Sequence, residues 1–284
     1  MIQRTERLVA VDRRKIHVTE AGEGAAVVLL HGGGPGATGA ANFSRNIDVL
    51  AERFRVVVPD MPGYGRSTKG IDGSDPFGDL AGFVAGLVDA LDLGPAHLVG
   101  NSYGGAAALR CALETPSKVA KLVLMGPGGI GTTRGLPTRG LNLLLDYYKG
   151  EGPTREKVET FIRDYLVHDG TTVPDELIDL RFRASIDPEV VADPPLRRPS
   201  GAGAPRTLLR MDLLRDRRLA AMDKPTLVLW GADDRVNRPS GATQLAGRLP
   251  VVDSYVAART GHWFQWERAD LFNSLVSEFL ERAS

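Results

Sequence analysis

The chain holds a single cysteine, Cys111, among its 284 residues. A disulfide framework needs paired cysteines and a thiolate zinc site needs several, so both are excluded. Neither sign of charge is in excess. Lys+Arg and Asp+Glu each number 35, and like charges form no block. That argues against nucleic acid or an anionic membrane surface as a partner. No apolar run approaches the ~18 residues of a membrane span. Residues 1–7 lack the apolar stretch of a secretory signal. Together with the lone cysteine, this sets the expectation of a protein of the reducing cytoplasm. Histidine is scarce as well, with five in the chain, so the search for a catalytic base is short.

What is present is apolar material in short, punctuated runs. Hydrophobic residues make up 43% of the chain, enough for one large core with an insertion. Residues 25–30 are a short, fully apolar run, the pattern of a strand buried on both faces, and 54–58, 96–99, 121–125 and 225–230 read as further strands. Residues 8–18, turning at 12–14, and 253–258 read as further strands. Helical patterns fall at 41–53, 79–91 and 271–282. Strands alternating with helices predict an α/β class fold with a mostly parallel sheet. The alternation breaks from about Ile130 to Ala221. That stretch shows helical patterns at 141–148, 154–167, 174–184 and 207–214, with a Pro/Arg/Gly-rich piece at 194–205. We read residues 1–130 and 222–284 as the core and 131–221 as an inserted helical cap. Cys111, on the helix after residue 102, reads as a small buried residue.

The most informative stretch is Gly100-Asn101-Ser102-Tyr103-Gly104-Gly105. It is a G-x-S-x-G string between a buried-strand run and a small-residue helix. Glycines on both sides let strand and helix close on each other and let Ser102 take a strained turn with its Oγ exposed. Serine is a poor nucleophile at neutral pH and needs a base, which needs an orienting acid. His262, in the loop after the last strand, is the candidate base. His17 and His97 lie in strand patterns and read as structural, and His168 reads as a cap surface or packing residue. His31, beside the glycine loop, reads as an orienting group. The acid is expected at the end of the penultimate strand, in Gly231-Ala232-Asp233-Asp234-Arg235. Asp234 is the better placed and Asp233 the alternative. Gly33 and Gly34, in the run 32–34 after His31, and the Tyr103 N–H at a helix start are the candidate oxyanion donors.

Several motifs are narrower than the fold. They are His31-Gly32-Gly33-Gly34-Pro35-Gly36-Ala37, Asn42-Phe43-Ser44-Arg45-Asn46, Gly100-Asn101-Ser102, Leu124-Met125-Gly126-Pro127-Gly128-Gly129 and Gly261-His262-Trp263-Phe264-Gln265-Trp266-Glu267. In these the chain resembles the meta-cleavage product hydrolases, carbon–carbon bond hydrolases of the α/β-hydrolase fold, over nearly its whole length. The resemblance implies a 2-hydroxy-6-oxo-2,4-dienoate substrate, cleaved at C5–C6 with water after the dienol ketonises. Attack would be by Ser102 or by an activated water. It implies no metal or organic cofactor and a homo-oligomer. By the same resemblance Arg181 would bind the substrate carboxylate, with Asn42, Asn101 and Trp263 at the dienoate end and Thr171 as a polar cap contact. Arg183, about 200° round the helix, would point elsewhere. Tyr103 departs from the Met or Leu usual after the nucleophile. The rival readings are a carboxylesterase or lactonase with the same triad, and a ligand-binding receptor on this fold.

Overall fold

The structure, a computed structural model, describes residues 2–283. The apolar runs become strands β1 (Arg4–Val11), β2 (Arg14–Ala21), β3 (Ala26–Leu30), β4 (Arg55–Pro59), β5 (Ala96–Asn101), β6 (Val119–Met125), β7 (Thr226–Gly231) and β8 (Val252–Ala257). They form one sheet in the order β1-β2-β4-β3-β5-β6-β7-β8. The β1–β2 hairpin is antiparallel and β2 runs antiparallel to β4. Every other pairing is parallel. This is the α/β-hydrolase architecture expected from the alternation. All five residues of β3 are buried, because helices cover both of its faces. β1 lies at the sheet edge and exposes its first five residues.

Period-two alternation sends side chains to two cores. Val28, Leu30, Leu98, Leu122 and Leu124 pack under the helices Pro76–Ala90 and Tyr103–Glu114. Val27, Leu29, Val99, Val123 and Met125 pack against Phe272 and Val276 of the helix Ala269–Glu281. The parallel strands end on one edge, which collects loops 31–36, 101–103, 126–129 and 231–237. In open parallel sheets that edge is where sites are built.

Between β6 and β7 the described residues form no strand. They form the helices Arg139–Leu145, Arg155–Thr160, Asp175–Ser185, Pro188–Ala192 and Ala204–Met211, with a π-helical turn at Phe161–Leu166. Leu144, Val158, Phe161, Ile162 and Ile178 make a third apolar cluster, which also takes in Trp263 and Trp266. This stretch therefore packs onto the strand-end loops. Within 194–205, Leu196 packs against both the main core and this third cluster, and Pro195 sits against Gly63, where a Cβ would lie 2.4 Å from Pro195 Cβ.

Some elements differ from the sequence expectation. The helix expected over 41–53 is two short ones, Gly39–Asn42 and Ile47–Ala51. Asn46 divides them because its buried amide donates to Gln265 O and Asn273 Oδ1, both at 3.0 Å. The helices Ser240–Ala246 and Pro188–Ala192 carried too little apolar periodicity to be expected. Among the described residues no helix is long and apolar enough to cross a membrane.

Candidate active site

Ser102 lies between β5 and the helix Tyr103–Glu114 with φ 53° and ψ −109°. A serine there is strained by roughly 1–3 kcal/mol, a cost the surroundings must impose. They do so at both flanking glycines. A Cβ on Gly100 would sit 2.5 Å from Gly104 O, and one on Gly104 would sit 2.3 Å from Leu30 O. Ser102 N–H donates to Met125 O at 2.9 Å, and Gly128 N–H donates to Ser102 O at 2.8 Å. The backbone is thus strapped to the end of β6.

Asp234 and His262 are both buried, and His262 Nδ1 lies 2.7 Å from Asp234 Oδ2. Asp234 Oδ1 accepts from Val236 N–H and Asn237 N–H, each at 2.8 Å. That carboxylate is fully engaged, so His262 carries its proton on Nδ1 and keeps Nε2 as a base. His262 Nε2 is buried without a protein partner and lines a cleft with Ser102. Asp233 is half-exposed and lies 3.0 Å from His168 Nδ1. Of the two neighbouring acids, Asp234 is the one that meets the histidine.

The glycine loop is held rigidly. His31 Nδ1 donates to Gly32 O at 2.8 Å and His31 Nε2 accepts from Met61 N–H at 2.9 Å. Burial lowers the His31 pKa to about 4, so the ring is neutral and makes both bonds. Tyr64 Oη donates to Gly33 O at 2.9 Å, which fixes the orientation of that peptide. Among the described residues no acceptor takes the N–H groups of Gly33, Gly34 or Tyr103. Gly33 abuts Tyr103, where a Cβ would lie 3.2 Å from Tyr103 Cβ. Gly34 instead faces Arg181, where a Cβ would lie 2.6 Å from Nη2. Gly33 and Tyr103 therefore share the Ser102 corner, and Gly34 belongs to the other end of the cleft.

That other end holds Arg181, 2% exposed, on the helix Asp175–Ser185. Its Nε donates to Pro35 O at 2.7 Å, and its Nη1 is buried with no partner. Among the described residues no carboxylate forms an ion pair with it, and burial lowers its pKa to about 10. A buried guanidinium without a counter-ion is costly. It is also a ready receptor for an anion. Its face lies 5.8 Å from the Trp263 ring, Trp263 stacks on Trp266 at 5.0 Å, and Arg45 caps Trp266 at 3.9 Å. The result is a four-layer stack, guanidinium to guanidinium.

Asn42 Oδ1 accepts from Trp263 Nε1 at 3.0 Å and from Gln265 Nε2 at 3.4 Å. Its NH2 remains for a ligand. Asn101 is different, because its Nδ2 donates to Met125 O and to His262 O, each at 3.2 Å. Its donors are spent on the scaffold, and its Oδ1 is the atom left over. Thr171 does not fit the expectation that placed it at the substrate. It is exposed, and its N–H and Oγ1 both bind Asp169 Oδ1, at 3.0 and 2.6 Å. That local turn holds it at the surface, and it does not line the cleft.

Phe161, Leu144 and Leu166 complete the lining. These residues, from the stretch between β6 and β7, were hidden in ordinary amphipathic patterns. The spacing of Trp263 and Trp266 did carry a signal, since residues three apart share a helix face. The cleft has room of about 20 Å³, on the order of one water. A second cavity of about 220 Å³ is lined by Tyr103, Leu196, Pro195 and Met211. Tyr103 and Leu196 are also among the nearest side chains to Gly33, so they wall one cavity from the other. Tyr103 Oη donates to Pro195 O at 3.2 Å, fastening that wall. Among the described residues no three His, Cys, Asp or Glu side chains are grouped to hold a metal.

A family model described as the alpha/beta hydrolase fold matches residues 26–269. A 2-hydroxy-6-oxo-6-phenylhexa-2,4-dienoate hydrolase of Burkholderia cepacia is 38% identical, over 97% of this chain and 96% of its own. A 2-hydroxy-6-oxononadienedioate/2-hydroxy-6-oxononatrienedioate hydrolase of Burkholderia vietnamiensis is 38% identical, over 94% of this chain and 91% of its own. Among solved structures, the meta-cleavage product hydrolase of Pseudomonas fluorescens IP01 superposes with a TM-score of 0.85 at 30% identity, covering 98% of both chains.

Proposed function

This chain belongs to the meta-cleavage product hydrolases of the alpha/beta hydrolase fold, and from that premise we propose how it cleaves the C5–C6 bond of a 2-hydroxy-6-oxo-2,4-dienoate. The observation that carries the reading is Arg181, a buried cation with no counter-ion, in the same cleft as Ser102 and His262. A plain ester offers nothing to such a cation; the carboxylate of a dienoate does.

In this reading the carboxylate pairs with Arg181, and the Asn42 amide donates to the 2-oxygen. Trp263 flanks the diene. The dienol ketonises first, taking a proton at C5 with His262 Nε2 as the carrier. This step places a carbonyl where it accepts the electron pair of the breaking bond. Ser102 then adds to the C6 ketone, with its proton passing to His262 Nε2. The Gly33 and Tyr103 N–H groups hold the oxyanion, aimed at charge that exists only after attack. The C5–C6 bond breaks, its electron pair delocalises into the new dienolate with C5 as its terminal CH2, and the proton held by His262 passes to the dienolate 2-oxygen. Water hydrolyses the acyl-enzyme. The net reaction consumes one water and gives 2-hydroxypenta-2,4-dienoate and the acid of the tail.

The same reading divides the chain into a core of 1–130 and 222–284 and a cap of 131–221. It takes the enzyme to be a cytoplasmic homo-oligomer, dimer or tetramer, which light scattering on the purified protein checks. Stopped-flow absorbance with phenyl- and alkyl-tailed dienoates tests the chemistry. Loss of the dienolate band should occur in two phases, ketonisation and then cleavage. An enzyme that turns over aryl acetates while leaving every dienoate intact overturns the proposal.

A further inference from the structure

The mechanism leaves Glu267 unused, although it is largely buried and sits at the meeting of core and cap. Its Oε1 accepts from Gly261 N–H at 2.9 Å, the residue before the catalytic histidine. Its Oε2 accepts from His168 N–H at 2.7 Å, in the cap. Two more bonds run the same way. His262 N–H and Trp263 N–H both donate to Leu166 O, at 2.8 and 3.1 Å. Leu166 ends the π-helical turn, and a helix end has carbonyls free for other donors. The contact is tight, since a Cβ on Gly261 would lie 2.7 Å from Val167 C and 2.8 Å from Leu166 O. From the core, Asn101 Nδ2 reaches His262 O at 3.2 Å.

We infer that Glu267 is a positioning residue: its carboxylate rivets the His262 loop to the cap turn at 166–168 and so holds the imidazole in register with Asp234 and Ser102. Two N–H donors from two separate segments call for two acceptor oxygens at a fixed spacing, which a carboxylate supplies. A glutamine has one acceptor, and its NH2 would face a donor. Cap docking and histidine alignment are thereby a single mechanical unit. A misplacement of about 1 Å at a reacting group costs on the order of 10²-fold in rate. The inference rests on the triad reading above.

The test uses the full-length enzyme and Glu267→Gln. The readouts are kcat and KM on a phenyl-tailed dienoate and on p-nitrophenyl acetate, the rate of Ser102 labelling by a fluorophosphonate, and the downfield proton resonance of the His262–Asp234 pair. Expected are a kcat loss of roughly 10- to 100-fold on both substrates, KM within about twofold, and slower labelling by a similar factor. The downfield resonance should shift or broaden. A native-like kcat overturns the inference. So does a kcat loss with resonance and labelling rate unchanged. Failure of the native enzyme to label at Ser102 would instead overturn the triad reading. Hydrogen exchange on the native protein serves if the variant does not fold. The amides of Gly261, His262 and His168 should then share one level of protection. Fast exchange at His168 beside slow exchange at His262 overturns the rivet.

Discussion

The two ends of the cleft handle charge in opposite ways. At the Ser102 end the Asp234 carboxylate and the His31 ring have their partners. Asp234 accepts three hydrogen bonds, and His31 is neutral with both ring nitrogens bonded. At the other end Arg181 keeps its charge in a buried place with one hydrogen bond and a free Nη1. The Ser102 end is complete in its charge pairing, while the Arg181 end lacks an anion. On the proposed function, the difference separates the part of the site that would perform the reaction from the part that would choose what enters. It also shows where each draws its stability. The first is stabilised by its own bonds, whereas the second is destabilising until substrate arrives.

The largest effects should come from the complete end. Ser102→Ala or His262→Ala should cost roughly 10⁴-fold or more in kcat on dienoate and aryl acetate alike. Asp234→Asn should cost roughly 10⁴-fold by upsetting the tautomer of His262, while Asp233→Asn stays near native. Steady-state kinetics on both substrates decide this, and the reverse order for the two aspartates would reassign the acid.

Next comes the incomplete end. Arg181→Gln should lower dienoate kcat/KM by roughly 30- to 4000-fold, the equivalent of about 2–5 kcal/mol for a buried charge pair broken on one side. The aryl acetate should be turned over almost as before, and Arg183→Gln should leave both unchanged. Equal loss on both substrates would make Arg181 structural. Arg181→Met sharpens the contrast further. Removing an uncompensated buried cation should raise Tm while dienoate turnover is lost, as differential scanning calorimetry would show.

A pH effect belongs to the complete end. Burial takes His31 from its ordinary 6.5 to about 4. The unfolded chain therefore takes up a proton that the native protein refuses. The stabilisation is full above pH 6.5 and is lost as the pH falls toward 4, on the order of 3 kcal/mol in all. His97, also lowered by burial to about 4, slopes the same way. Urea unfolding between pH 4 and 7 should show stability falling with acid in the native protein and a shallower fall in His31→Gln. An equal slope in both would remove His31 from the account.

The smallest effect concerns the wall between the two cavities. Tyr103 and its bond to Pro195 narrow the way from Ser102 toward the second cavity. Small or planar tails should be preferred to a bulky fused-ring tail by roughly 10- to 200-fold in kcat/KM. Tyr103→Met should shrink that preference. A fused-ring substrate turned over best by native enzyme, with no change in the variant, would refute it.

Much of this was legible in the chain. The buried strands announce themselves as runs such as 25–30 and 122–125, because burial on both faces leaves few polar positions. The elbow is legible because its glycines answer a steric demand that only glycine meets. What was hidden depends on partners distant in sequence. The amide of Asn46 breaks an otherwise plausible helix to reach residues 265 and 273. The Asn101 NH2 is spent on Met125 and His262, a fact no local pattern carries. Thr171 sits three residues from His168 and ten from Phe161, yet one Asp169 turn keeps it at the surface. The wall at Leu196 comes from a proline-rich piece whose composition suggested little packing.

The stack of Arg181, Trp263, Trp266 and Arg45 has an optical consequence. Two indoles 5.0 Å apart and within 11° of parallel are electronically coupled, and should give an exciton couplet in circular dichroism. The third tryptophan, Trp230, is buried in the main core and supplies a constant background. A carboxylate that pairs with Arg181 neutralises the cation at one end of the coupled pair. Its arrival should therefore change the fluorescence of the stack, so that the protein carries its own reporter of ligand occupancy, readable without label and without turnover.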